Sequence, residues 1–576
     1  MSSRSLRFLV PFTFSFLVAE AHADETRRIS NTPSGAAGSA ASWCGAVSAD
    51  GNFVVFESAA DDLVAGDMNG REDLFLWERA TGAITRVSVS TSGAEADGDS
   101  YGPSISADGR AIAFISEATN LAATGGSNQN VFVRDRLLGT TTLVTADATG
   151  AGGSNSPYRF TFNTSISADG RRIAFVTSAT NLGPADANGT VPDVYVHDLA
   201  DGSTMLASVD ANGVAVDDCC WQVQISGDGN VVAFKTTAQN LPDPPPGGVS
   251  TVYAKELATG VLERVDVDSA GVGGVNGISA VWGLSYDGSL ILFSGQSLLV
   301  PDDGGLSHGY LRDRVAGTTE SIGRTTGGGP LPGPDGVLSA SMSADGRFVA
   351  FCSGDRFVEN DSGGTRDLFI RDRWHDVTTL VGVGTFDEHS TSDVLFGAYS
   401  GAGNGFEYEA GFLSADGRVL VFDTFTPEFA PNDGNGDLDV FVRVRDLLPA
   451  TTVHYGAGFP GRFGVVPTLT PDHEPWRGAP LTLHATNPSG VATVAYLLYG
   501  AARDSVPTPK GGTLLVDPIV VLAFPLGPAG GSYGGELPPD WWANGLVFDL
   551  QLLELDPWAW RGVSFTDGVE LTIGDG

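Results

Sequence analysis

Apolar residues come in short bursts along this chain, and the bursts repeat. "SISADGRAIAFISEATNL" (104–121) returns almost unchanged as "SISADGRRIAFVTSATNL" (165–182). Each copy holds a short apolar run, an Asp-Gly turn and a second run, "AIAFI" or "RIAFV", that does not alternate with polar residues. A strand with one wet face alternates; a continuous run bounded by turn residues reads as a strand buried on both faces. Asp-Gly is hairpin chemistry, because glycine takes positive φ and aspartate bonds its own backbone. A polar loop then leads to "NVFVRD" (130–135) and "TTTLVTA" (140–146), so one unit is four short strands.

The unit has a period. Ser-x-Asp-Gly places its aspartate at Asp50, Asp108, Asp169, Asp228, Asp287, Asp345 and Asp416, at intervals of 58, 61, 59, 59, 58 and 71 residues. Six positions after each lies Phe56, Phe114, Phe175, Phe234, Phe293, Phe351 or Phe422. A second acid follows each aspartate by 26 to 30 residues: Glu78, Asp135, Asp198, Glu256, Asp313, Asp372 and Asp446. A fixed period marks a repeat architecture. Four-stranded sheets buried on both faces, met seven times, predict an all-β fold with a seven-bladed β-propeller over 24–450. The phenylalanines are expected between blades, and the second acids on turn amides.

Ring closure is also legible. Arg28-Ile29-Ser30 precedes Asp50 by the same distance as Arg86-Val87-Ser88 precedes Asp108. The latter triplet is the fourth strand of the first blade, so the N-terminal strand is expected to complete the seventh. "TTVHY" (451–455) is the competing candidate for that place. Beyond it the period ends, and short apolar runs between Pro/Gly-rich turns predict a small β-sandwich over 451–576.

The blade motif, "SADGR" followed by "IAF" and then "VFVRD", resembles the TolB-like, PD40 (WD40-like) propeller repeat over about residues 26–450. That resemblance implies the propeller fold and not an activity, since propellers host many activities. The α/β domain that precedes the propeller in TolB is not expected here, because a fourth strand follows the predicted cleavage site within a few residues, and TolB usually carries one blade fewer. The region from "VVPTL" to "ELTIG" is similar to a C-terminal β-domain appended to secreted bacterial proteins, but lacks the cysteine that family often has near Phe459.

The termini and charge bear on location. Residues 1–23 carry Arg4 and Arg7, an apolar run too short to span a bilayer, and Ala21-His22-Ala23, which reads as a signal peptide. No later segment is apolar for long enough to span. An exported, periplasmic or extracellular monomer is expected. The net charge of -37 disfavours nucleic acid and anionic membrane as partners. The four cysteines, Cys44, Cys219, Cys220 and Cys352, have no metal-motif spacing, and no pairing is predicted.

Candidate chemistry is sparse. Asp433, Asn435, Asp437 and Asp439 put side-chain oxygens at alternate positions, the spacing with which a tight loop wraps calcium. Position twelve is Val444, where an EF-hand has its glutamate, and position six is Leu438 in place of glycine, so a set of Asn-Gly and Asp-Gly turns is the favoured reading. Gly530–Gly534 and Gly98–Gly102 both fit GxSxG, but neither precedes a helix and no histidine follows Ser532. Ser-x-Asp-Gly departs from the sialidase Asp box. Trp541, Trp542, Trp558 and Trp560 suggest either sugar stacking or sandwich core. The longest interval falls in Gly384–Gly411, whose Asp387, Glu388, His389, Phe406 and Tyr408 form the candidate binding loop. The expected function is a non-catalytic binding scaffold for a protein or polysaccharide of the cell envelope, with no cofactor required and calcium the one candidate. The alternative is a hydrolase with its site in the propeller channel.

Overall fold

A computed structural model describes residues 25–572 except 123–128, 154–163, 184–187, 297, 302–307, 330–332, 334, 359–365, 382–393, 396–411, 426–434, 446–450, 461–464, 473–479, 501–502, 509–512, 517–519, 537–546 and 557–562. The signal-peptide region, Asp387, Glu388, His389, Phe406 and Tyr408 of the candidate binding loop, Asp433, Asp446 and the four tryptophans named above lie outside the described residues, whereas Val394–Leu395 of that loop is a strand paired with Thr424 and Asp423 in the seventh sheet. Every described element is a strand. The chain divides into two compact units, Glu25–Arg445 and one containing Asp446–Gly576.

Glu25–Arg445 is a β-propeller. Its described residues form six sheets of four strands and one of five. Sheet one is Ser42–Val47, Phe53–Ser58, Asp73–Glu78 and Ile84–Arg86, paired antiparallel in that order. The first strands of successive sheets adjoin one another, and the seventh sheet touches both the sixth and the first. First strands therefore form the inner wall and fourth strands the rim.

The repeated phenylalanine explains the packing. Phe56 stacks on Phe75 at 5.8 Å between ring centres, Phe114 on Phe132 at 5.9 Å, and Phe175 on Tyr195 at 6.1 Å. The same pairing of second and third strands recurs at Phe234–Tyr253, Phe293–Tyr310, Phe351–Phe369 and Phe422–Phe441. The Val and Ile residues beside them share clusters with the adjacent sheet; Phe56, Phe75, Val419 and Val442 belong to one such cluster. Each sheet is thus buried from both sides, which is why its second strand shows no alternation.

The strand Glu25–Arg28 pairs antiparallel with Asp439–Val444 of the seventh sheet, Arg28 opposite Phe441. Ser30 then donates to Asp439 at 2.6 Å, as Ser208 donates to Asp193 at 2.6 Å in sheet three. The competing strand Thr451–Tyr455 pairs instead with Gly568–Thr572 in the second unit. There a six-stranded and a three-stranded sheet share one apolar cluster, with Leu481 and Leu483 from one and Leu497, Leu552 and Leu571 from the other.

Candidate functional site

The repeated aspartates build turns. Ser48 donates to Asp50 Oδ1 at 2.8 Å, Asn52 N–H donates to the same oxygen at 3.0 Å, and Phe53 N–H donates to Ser48 Oγ at 3.0 Å. The serine–aspartate bond recurs at Asp108, Asp169, Asp228, Asp287, Asp345 and Asp416 between 2.6 and 2.8 Å. Gly51 has φ +67°, and a Cβ there would lie 2.1 Å from Val419 Cγ2 of the seventh sheet. The motif needs glycine for its φ and again because the turn rests on the preceding sheet.

The second acids hold the other hairpin. Asp135 accepts from Leu137 and Leu138 N–H, and Asp313 from Val315 and Ala316 N–H. Glu78 and Glu256, one methylene longer, accept from the hydroxyls of Thr81 and Thr259. Arg110, Arg171 and Arg347 of the SADGR motif each reach the second acid of their own sheet at 2.7 Å. That ion pair ties together the two hairpins on one face of the ring.

The acids inside the wall escape the repeat pattern. The first strand of sheet one carries a β-bulge between Cys44 and Ala46, directly after the register pair Cys44–Phe56. Asp423 of the seventh sheet accepts the Cys44 N–H at 3.2 Å. The bulge between Tyr101 and Ser104 leaves Gly102 without a register partner, and its N–H donates to Glu57 of the preceding sheet at 2.8 Å. In sheet five Val281, paired with Phe293 between two bulges, donates its N–H to Gln222 Oε1 at 2.9 Å. Each acceptor belongs to the sheet before the bulge, so the contact specifies which sheet follows which.

Enclosure sets the charge state of these acids. Glu57 is 3% exposed and Asp423 fully buried. Burial pushes each up to about 8, with the Glu72 and Asp423 charges adding to the effect at Glu57. Asp73 is raised to about 6 by burial, against the Ser88 and Asn69 hydrogen bonds and the nearby Arg86. Arg86 lies 3.2 Å from Asp67 and 3.0 Å from Glu95. Nearer the surface, burial and the neighbouring Asp99 and Glu117 raise Glu72.

Other candidates have ordinary partners. Asn435 donates to Gly38 O at 2.9 Å and accepts from Asp437 N–H at 3.0 Å. Asp439 accepts from Ser30 and from Arg28, the latter at 3.2 Å. A cation entering the Asp433–Asp439 loop would compete with Arg28 for Asp439. Among the described residues no group of three or more His, Cys, Asp or Glu converges as for a metal. We expect EDTA to leave the thermal transition unchanged. A resident calcium would instead contribute about 2.7 kcal/mol at a hundredfold excess over its Kd, and chelation would lower the transition visibly.

Ser100 is buried and pairs with Ser116 at 2.9 Å between adjacent strands. Ser532 lies on an exposed strand with His484 Nδ1 at 2.9 Å, directly opposite in register. A search for a histidine after Ser532 could not find this pair, because the histidine precedes it. Neither serine sits on a strand-to-helix elbow. Cys44, Cys220 and Cys352 are buried and Cys219 half-buried, and none of the four is joined in a disulfide.

No protein-family profile and no curated protein matches the chain. Among solved structures it is similar to the β-propeller domain of the Trilobed protease from Pyrococcus furiosus, at 13% identity and a TM-score of 0.39, over 70% of this chain and 93% of that one. The WD40 repeats of RRP9 match at 11% identity and 0.38, over 73% and 99%. A prolyl endopeptidase matches at 11% and 0.40, over 78% of this chain but only 55% of the enzyme. Likeness this distant leaves activity open, and the propeller assignment rests on the sheets themselves.

Proposed function

We propose that the protein is an exported, non-catalytic propeller of seven blades that acts as a binding scaffold at or outside the cell envelope. The main support is the employment of the interior acids. Glu57 and Asp423 each hold a backbone N–H of the next sheet and are closed off from solvent. A general acid or base must reach a substrate, and a nucleophile must stand beside its base.

In this reading the partner is a protein or polysaccharide of the envelope. It meets the face opposite the Asp-Gly turns, where the connections between sheets vary, and Gly384–Gly411 with Asp387, Glu388, His389, Phe406 and Tyr408 makes the contact. The mature protein is a monomer without a cofactor. Processing after Ala23 would free the strand at Glu25–Arg28 to close the ring.

The competing reading is a hydrolase in the channel, favoured by the raised pKa of Glu57 and Asp423. Assay of the purified mature protein against chromogenic esters, peptides and glycosides separates the two. We expect no turnover; turnover that disappears in both Glu57→Gln and Asp423→Asn would establish the hydrolase. Deleting 386–408 is expected to abolish partner binding but also removes the strand Val394–Leu395 from the seventh sheet, so Phe406→Ala with Tyr408→Ala is the cleaner test, expected to abolish binding and leave the thermal transition in place.

A further inference from the structure

The Asp-Gly turns form an inner circle joined by backbone bonds. Ala49 N–H donates to Ala107 O at 3.0 Å, Ala107 N–H to Ala168 O at 2.9 Å, and Ala168 N–H to Gly227 O at 2.8 Å. The circle continues from Asp228 N–H to Tyr286 O, Tyr286 N–H to Ala344 O and Ala344 N–H to Ala415 O, at 2.8, 2.8 and 2.9 Å. The residue between serine and aspartate therefore rims the opening on this face. It is alanine or glycine in six turns and tyrosine in one.

Tyr286 is 56% exposed, although the backbone on both its sides is fixed. Its ring is seated as well. A Cβ on Gly227 would lie 2.5 Å from Tyr286 Cδ2 and 3.2 Å from Cε2. The single glycine of the rim is thus where the single aromatic ring lies. Both residues occupy the variable position of the repeat, and only the contact between turns relates them. A large aromatic side chain held in water with its backbone already ordered offers contact area at little conformational cost on binding.

The charge beside it is negative. Asp287 follows Tyr286 and is exposed, and Asp228 follows Gly227, close enough for the two carboxylates to repel each other. Arginines approach the same turns but are engaged elsewhere. Arg172 bonds Gly229 O and pairs with Asp198, and Arg314 bonds Gly288 O and pairs with Glu256 and Glu263. An aromatic face attracts a cation through its quadrupole, and two carboxylates strengthen that preference. A neutral sugar would find the aromatic surface but gain nothing from the charge.

We propose that Tyr286, seated on Gly227 and flanked by Asp228 and Asp287, is a binding point for an arginine or lysine side chain of a protein partner. It lies on the face opposite the one proposed for Gly384–Gly411, so deletion of 386–408 and substitution of Tyr286 fail independently. The probe is a fluorescent hexa-arginine peptide, titrated into the full mature protein at low salt and again at about 0.5 M salt, where the Debye length is only about 4 Å. Tyr286→Ala is expected to weaken binding by about three- to thirty-fold, with the loss persisting at high salt. Tyr286→Phe should retain affinity, and Gly227→Ala should lose it by unseating the ring. Equal binding by wild type and Tyr286→Ala at both salts would overturn the assignment, since diffuse acidity would then account for the affinity. So would Tyr286-dependent binding of a neutral glucan hexamer in place of the peptide.

Discussion

Removing residues 25–30 is expected to open the ring and lower the stability of the propeller more than any single substitution. The segment supplies the last strand of the seventh sheet, opposite Val444 to Phe441. It also supplies Ile29, which is 1% exposed and packs with Phe56, Val421 and Val440. Loss of a buried isoleucine side chain alone costs about 2–5 kcal/mol. Asp439, itself 1% exposed, would lose Ser30 and Arg28 together. Stranding one partner of a buried ion pair costs about 3–5 kcal/mol. Ser30→Ala separates these contributions, because it leaves the strand in place and removes the hydrogen bond to the Asp439 carboxylate, worth about 1.5–3 kcal/mol, together with the one Ser30 Oγ accepts from Val440 N–H. Urea midpoints should fall in the order wild type, Ser30→Ala, deletion. A deletion variant as resistant to urea as the wild type would show that the strand is an ornament of the seventh sheet and not its closure.

Why the closing strand was legible, and the wall acids were not, has a physical explanation. The period is visible because each sheet solves the same problem with the same parts: a turn, a buried phenylalanine and an acid on the next hairpin. Arg28-Ile29-Ser30 is recognisable because Ser30 must meet Asp439 as Ser88 meets Asp73. Sheet four solves that contact with the roles exchanged, Thr251 donating to Asp266, and no motif search would connect the two arrangements. Glu57 and Asp423 occupy equivalent places in their sheets, but elsewhere that place holds Ile115, Val176, Lys235, Ser294 and Cys352. Their role follows from a bulge in the neighbouring sheet, and a bulge leaves little trace in a pattern of apolar residues. Sequence periodicity reports what every sheet shares. The candidate site lies in what single sheets do differently, as Tyr286 and Gly227 also show.

The same two acids predict an unusual dependence on pH. In the unfolded chain Glu57 and Asp423 ionise near their ordinary values of 4.5 and 3.8, whereas burial holds them protonated in the folded protein up to about 8. Between those limits the folded chain keeps protons that the unfolded chain has released, so stability falls as pH rises through the window and levels off above about 8. The turn acids act in the opposite sense at lower pH. The Arg171 hydrogen bond holds Asp198 at about 2, and Ser289 bonds lower Asp287, so their contribution is complete above the ordinary carboxylate range and is lost on acidification. Stability should therefore peak in mild acid, near the point where the turn acids are ionised and the wall acids are not. A tenfold change in proton affinity corresponds to about 1.4 kcal/mol, which puts the loss from the two wall acids at several kcal/mol by pH 8. Asp423→Asn with Glu57→Gln keeps an acceptor oxygen for Cys44 and Gly102 N–H but has no proton to lose. The gap between urea midpoints at pH 5 and pH 8 should be much smaller in that double variant than in the wild type, with the remainder carried by Asp73, which burial raises to about 6. An equal gap in the two proteins would mean that both carboxylates ionise within the folded wall, and that the wall does not enclose them.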